Sequence, residues 1–197
     1  MKRLTLILFI CATTTMVSAQ DYLGVQLGFA QPVARLNTPT TKTSLLSTSY
    51  NGFKVGLVYD ATIVKGFGYT LGLNYTYGAA TSSWKKIGAM DYPRTQTKEM
   101  YHQLEIPVDW QYKFQIAKDT WLMLYTGPTL QCGLTFKDKW YIRSDNTSNA
   151  FTHEENLYSE EDMEDYALKR LNVTWGIGAG FKYERYFLRG GYDFGLS

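Results

Sequence analysis

This sequence predicts an all-β fold, a transmembrane up-and-down antiparallel β-barrel of about eight strands. Three observations carry the prediction. The first residues are built like an export leader, the remainder alternates with a period of two in long runs, and the connections between runs are alternately long and short. The 197 residues suffice for one domain. They include 16 Tyr, 10 Phe and 5 Trp, and 45% are hydrophobic. Mean hydropathy is nevertheless −0.26, because polar residues dilute the apolar ones evenly. Strands with one apolar and one polar face have that composition.

The leader comes first. Lys2 and Arg3 give a positive start, Leu4 to Val17 is apolar, and Val17-Ser18-Ala19 supplies a cleavage site after Ala19. The apolar stretch is shorter than the roughly 20 residues a membrane-crossing helix needs. Residues 1–19 therefore read as a signal peptide and residues 20–197 as a barrel domain. A lipoprotein box at Cys11 is the weaker reading, because Ile10 stands where a small residue is required. Losing Lys2 and Arg3 reduces the 20 basic residues to 18, equal to the 18 acidic ones. The mature chain then has no net charge to attract nucleic acid. Cys132 is left alone, so no internal disulfide is expected.

Seven alternating runs follow Gln20. Leu23, Val25, Leu27 and Phe29 form the apolar side of the first, and Phe53, Val55, Leu57, Tyr59 and Ala61 that of the second. Phe67, Tyr69, Leu71, Leu73, Tyr75 and Tyr77 form the third, the most regular; Leu104, Ile106, Val108, Trp110, Tyr112 and Phe114 form the fourth. The fifth, near 121–136, is less regular. Leu171, Val173, Trp175, Ile177, Ala179, Phe181 and Tyr183 form the sixth, and Leu188, Gly190, Tyr192 and Phe194 the seventh. Several runs exceed ten residues. Soluble strands average about five or six, whereas a strand crossing the hydrocarbon at a tilt needs ~9–11.

The connections keep the rhythm of an outer-membrane barrel, in which short periplasmic turns alternate with longer outer loops. Residues 32–50, 79–99 and 137–168 are the long segments. The short turns lie at Val64-Lys65-Gly66, Ala117-Lys118-Asp119 and Glu184-Arg185.

The two faces separate a membrane barrel from a soluble one. The apolar face carries no charge in six of the seven runs, as lipid contact demands, since a midplane Lys or Arg costs ~2–4 kcal/mol. Turned inward, its rings would overfill a narrow barrel. The polar face suits an interior. It holds Gly24, Gly28, Gly56, Gly68, Gly72, Gly176, Gly178 and Gly180, which relieve crowding where strands curl. It also sets Lys54, Lys113, Lys182 and Arg189 against Asp60, Glu105, Asp109 and Asp193. Balanced charges avoid isolated buried ions, and eight strands leave an interior that side chains just fill. A plugged barrel is expected, not a diffusion channel.

Rings gather at both ends of the runs, as the girdles of a membrane barrel do. Tyr59, Phe67, Tyr69, Tyr112, Phe114, Trp121, Tyr183 and Tyr186 lie beside the short turns. Tyr50, Phe53, Tyr75, Tyr77, Tyr101, Phe136 and Trp140 lie beside the long segments. Pro107 and Pro128 cannot donate to a ladder and are expected to mark a bulge or local kink.

Several segments resemble the PorT-like small outer-membrane β-barrel family, related in architecture to OmpA- and OmpX-type barrels. Leu104-Glu105-Ile106-Pro107-Val108, followed by Tyr112-Lys113-Phe114, is similar to that family's central strand. Thr126-Gly127-Pro128 resembles the strand after it, and Gly190-Gly191-Tyr192-Asp193-Phe194-Gly195-Leu196 a late one. The likeness covers residues 21–197 and implies a barrel in the cell outer membrane with no catalytic residues. Family members continue to a further strand with a terminal aromatic residue, and bacterial single-chain barrels have even strand counts. The expectation is therefore either a missing last strand beyond Ser197 or an uncounted one within 137–168.

Other motifs lead away from chemistry. Gly176-Ile177-Gly178-Ala179-Gly180 lacks the spacing and following helix of a dinucleotide loop. His102 and His153 are the only histidines, with no cysteine nearby to complete a zinc site. The acidic stretch His153–Asp165, rich in Glu and Asp, reads as a solvated outer loop, with a cation site, a basic partner or a short helix as alternatives and no EF-hand spacing. No catalytic, cofactor-binding or metal residues are expected. The expected partners are outer-membrane lipid and proteins met through the long loops, with no nucleic acid, around a monomeric barrel. The function classes in play are a structural or surface-interaction barrel, a component of a secretion or envelope-assembly system, and, least supported, a membrane-embedded hydrolase or acyltransferase.

Overall fold

The computed structural model describes residues 7–18, 21–35, 47–86, 94–143, 151–158 and 170–196. In chain order the strands are β1 (Ile7–Ser18), β2 (Asp21–Ala30), β3 (Val33–Arg35), β4 (Ser47–Ser49), β5 (Asn51–Val64), β6 (Phe67–Thr81), β7 (Lys85–Lys86), β8 (Arg94–Ala117), β9 (Thr120–Arg143), β10 (Phe151–Asn156), β11 (Leu171–Tyr183) and β12 (Tyr186–Gly195). The spatial order β9-β11-β12-β1-β2-β5-β6-β8 is closed by a β8–β9 pairing, giving an antiparallel ring of eight strands. Closure leaves no sheet edge within the wall.

The seven expected runs are seven of these strands. The eighth place belongs to Ile7–Ser18, the stretch read as the export leader, which pairs with β12 over Ile7–Ala12 and with β2 from Leu8 to Ser18. Among the described residues the even count is therefore not met by a strand within 137–168. β10 lies there, but it hangs on the outer flank of β9 beyond the ring. The backbone of β1 supplies the ladder partners of both β2 and β12.

Two-residue turns close the short end at Lys65-Gly66, Lys118-Asp119 and Glu184-Arg185. The first places both residues in the left-handed region, Lys65 at φ 39° and Gly66 at φ 89°. That geometry matches the right-handed twist of the flanking strands. Burial alternates strictly along β6 and along most of β11. Leu27, Leu57, Leu73, Ile177 and Phe181 are half or more exposed, while Asn74 and Thr76 are almost wholly buried. The apolar face is the outer surface, as the alternation predicts.

Three expectations need correction. The prolines introduce no bulge: Pro107 faces Thr129 and Pro128 faces Trp175 in unbroken register. The Pro107 ring is accommodated because Gly72 lies against it, where an added Cβ would come within 2.7 Å of Cγ. Register shifts fall instead at Thr13/Met16, Met16/Ser18, Thr62/Val64, His102/Gln103 and Gln115/Ala117. The long segments 79–99 and 137–168 are also partly strand, because β8 starts at Arg94 and β9 runs to Arg143. Each has 24 residues, more than twice what a bilayer crossing requires. Residues 94–99 are polar on both faces, so alternation no longer reveals a strand whose backbone is still paired. Finally, His153–Asn156 belongs to β10 and not to a loop. The remaining acidic residues of that stretch, Glu160, Glu161, Asp162, Glu164 and Asp165, lie outside the described residues.

Candidate functional site

The interior is a lattice of paired ions. Lys54, Asp60, Glu105, Asp109, Lys113, Lys182 and Arg189 are all buried, and the inward alternation of their strands brings them together. Lys113 Nζ donates to both oxygens of Asp60 at 2.8 Å and to Thr62 at 3.0 Å. Lys182 Nζ lies 3.8 Å from the same carboxylate, to which Gln111 also donates. Lys54 pairs with Glu105, which accepts from Thr76 at 2.9 Å and Gln103 at 2.6 Å. Arg189 donates to Asp109 at 2.7 Å. The sequence-derived set of four cations and four anions is thus assembled as expected, Asp193 lining the space beside Lys54 and Arg189. Hydrogen bonds to the remaining lone pairs are what make such buried pairs tolerable.

Rings complete the filling, and these were not foreseen. Arg189 stacks 3.8 Å from the Tyr125 centroid, and Lys182 Nζ sits 3.4 Å from that of Tyr22. The Tyr125 ring occupies the place where a Cβ on Gly178 would stand, so that glycine is required by close approach. The irregular fifth run was the only sign of an inward tyrosine. Between these groups lies a cavity of about 40 Å³ lined by Gln26, Asn74, Glu105, Asp109, Tyr125 and Asp193, among others. That space holds a few waters at most.

At the long-loop end a small aromatic core packs inside the ring. Tyr50, Tyr101 and Phe136 are buried against one another, with ring centroids 5.2, 6.0 and 6.4 Å apart. Tyr158 packs on Phe136 at 6.1 Å. The Tyr101 ring lies over Gly78, where a Cβ would collide with it. Tyr50, Tyr101 and Phe136 were expected in the lipid girdle, and the structure moves them inside. Tyr101 follows Gln103 and Glu105 on the inward side of β8, and Phe136 faces it across β9. Two more girdle assignments change. Trp121 stands opposite Lys182 on the inward side, and Trp140 projects above the ring, bonded to Asp138 at 2.6 Å. Nearness to a strand end does not tell which face a ring occupies. The outer girdle is kept by Phe53, Tyr75 and Tyr77, Tyr77 packing 5.4 Å from Phe53 and 5.0 Å from His102.

Above the mouth, β7, β8, β9 and β10 continue as a sheet clear of the barrel. Its inner side sets Glu99 directly opposite Asp138. Burial raises the Glu99 carboxyl above the usual glutamate range, against the lowering hydrogen bond from Tyr50, and the charge on Asp138 adds to the rise. Its outer side carries Lys137 and Lys139, which hold Glu154 between them at 2.7 and 2.6 Å. These two bonds depress the Glu154 carboxyl to about 2. Among the described residues no group of three or more His, Cys, Asp or Glu is placed to hold a metal.

Residues 18–197 match the family model described as the outer membrane protein beta-barrel domain. Among solved structures the chain is similar to a major outer membrane protein from Thermus thermophilus. The identity is 12% and the TM-score 0.46, over 96% of this chain and 98% of that one. No curated protein matches the chain.

Proposed function

The chain belongs to the outer membrane protein β-barrel domain family, and from that premise we propose that it is a closed, non-enzymatic barrel whose work is done by its outer end. The observation that carries this reading is the filled interior. Ion pairs, Tyr125 and the aromatic cluster occupy it, and the cavity between Gln26, Lys54, Tyr125 and Asp193 measures about 40 Å³, room for a few waters at most. The parts that reach away from the membrane are the paired extensions of β8 and β9 with β10, a platform for a structural or surface-interaction role. Planar-bilayer recording with the purified full chain is expected to give no steady open state. A large, sustained conductance would reject the closed barrel.

A second reading, a PorT-like component of a secretion or envelope-assembly system, is favoured by the segments 104–108, 126–128 and 190–196. The first lies in β8 and all but the last residue of the third in β12, strands that also carry the interior ions, and the second lies in β9. Stable co-purification of secretion subunits from intact envelopes would favour it over the first.

The export leader belongs to this proposal too. Cleavage after Ala19 would withdraw β1 from its place between β12 and β2. The intact mass of protein extracted from envelopes is expected to correspond to a chain starting at Gln20, with another strand then filling that place. A mass that retains Ile7–Ser18 would make this segment a permanent wall strand.

A further inference from the structure

We propose that the carboxyl row Glu99–Asp138–Glu155 is a proton-operated clasp, which binds the outer ends of β8, β9 and β10 to the aromatic core when protonated and loosens them when ionised. The inference adds a regulation to the reading of the outer end as the working part of the barrel, and rests on it.

The row follows from register. Glu99 stands directly opposite Asp138 across β8 and β9, and Asp138 directly opposite Glu155 across β9 and β10. Residues directly opposite in antiparallel strands share a face, and like charges so placed destabilise the pair. The next inward positions on this side are Tyr101 and Phe136, also opposite each other, so the carboxyls lie immediately above the aromatic core. Tyr50 ties the two layers. Its ring packs 5.2 Å from Tyr101 and 6.0 Å from Phe136, and its hydroxyl donates to Glu99.

The charged groups around the row leave its centre without a counter-ion. Asp138 accepts from the Trp140 N–H at 2.6 Å through one oxygen, while the other is buried with no hydrogen-bond partner among the described residues. A proton there removes the charge that burial penalises. His153, on the same side of β10, is bonded to Glu155 at 2.8 Å. Lys85 of β7 shares the side but stands opposite Thr95, four residues before Glu99 on β8. Arg170 is held by the Tyr158 ring and by the carbonyls of Leu134 and Tyr158. Lys137 and Lys139 grip Glu154 on the other face.

Burial is the main cause that lifts both central carboxyls. The charge of Asp138 adds to the rise at Glu99, and that of Glu155 to the rise at Asp138, against the bonds from Tyr50 and Trp140. A carboxyl raised in the folded chain contributes stability that is complete below its unfolded value, about 4, and is lost as pH rises through the raised value. The clasp is therefore closed in acid and eased at neutral pH. Glu154, depressed to about 2, has the opposite sign, and its contribution fails only as pH falls below about 4. Burial moves the phenols of Tyr101 and Tyr158 upward, away from this window.

The test uses the full chain folded in detergent micelles. Backbone hydrogen exchange is followed by mass spectrometry from about pH 4.5 to about pH 8, as protection factors that remove the intrinsic pH dependence of exchange. Protection of residues 94–101 and 136–142 is expected to fall at least about tenfold across this range, the equivalent of one unit of displacement in one carboxyl, while that of β11 stays constant. The double variant Glu99→Gln, Asp138→Asn copies the protonated row and is expected to stay protected at the upper end. His153→Gln removes an imidazole, the side chain that ordinarily titrates between about pH 5 and about pH 8, and should leave the fall in place. Unchanged protection in the parent, a parallel fall in β11, a double variant that still loses protection, or a His153→Gln variant that no longer does would each overturn the clasp. The outer-end reading fails by a different result, a sustained conductance of the same protein in planar bilayers.

Discussion

Asp60→Asn is expected to destabilise the barrel by about 3–5 kcal/mol, the cost of leaving a buried charge without its partner. Asp60 is the most heavily used carboxylate in the interior. It takes two bonds from Lys113 at 2.8 Å and one from Gln111, and it lies 3.8 Å from Lys182. Asparagine keeps the shape but removes the charge, so two buried ammonium groups lose their common counter-ion. Folding in lipid vesicles, followed by tryptophan fluorescence against urea, reads the effect. The double variant Asp60→Asn, Lys113→Met should recover part of the loss, because it removes one of the stranded cations. A single variant within about 1 kcal/mol of the parent would mean that the lattice is wet enough to tolerate the imbalance, contrary to the closed interior.

Ile177→Lys is expected to cost ~2–4 kcal/mol in a bilayer, whereas Leu171→Lys should cost only ~0–1. Both residues belong to β11 and both face outward, at 50% and 65% exposure. They differ in depth. Ile177 is the central residue of the thirteen in the strand, and Leu171 is the first, at the long-loop end. The comparison therefore reads the membrane itself, with strand propensity and outward exposure held nearly constant. The same urea titration gives both values. If the two substitutions cost the same, or if Ile177→Lys is neutral, the outer face of β11 meets water and not lipid.

Most of the wall was legible because period-two alternation is a local property. Leu73 and Asn74 differ in polarity, and the pleat alone puts them on opposite faces. The charge set was legible for the same reason: Lys54, Asp60, Asp109 and Arg189 each sit at inward positions of their own run. The pairs they form were not, since Arg189 and Asp109 are 80 residues apart and meet only through the curvature of the ring. The mouth core was missed because it depends on which way Tyr101 and Phe136 point, next to a register shift and to residues 94–99 that are polar on both faces, where the pattern fades. The extension of β8 back to Arg94 escaped notice for that reason too.

The amino-acid order thus settled which side of each wall strand faces outward, where the short turns fall, and which ions are enclosed. All of these follow from neighbours one or two positions apart. Tertiary structure decided the partners: Lys113 and Lys182 on Asp60, Tyr125 beneath Arg189, Ile7–Ser18 between β12 and β2, and Arg94 in line with Arg143. Those choices are made by hydrogen-bonded register between distant segments, and a register has no signature within a single strand.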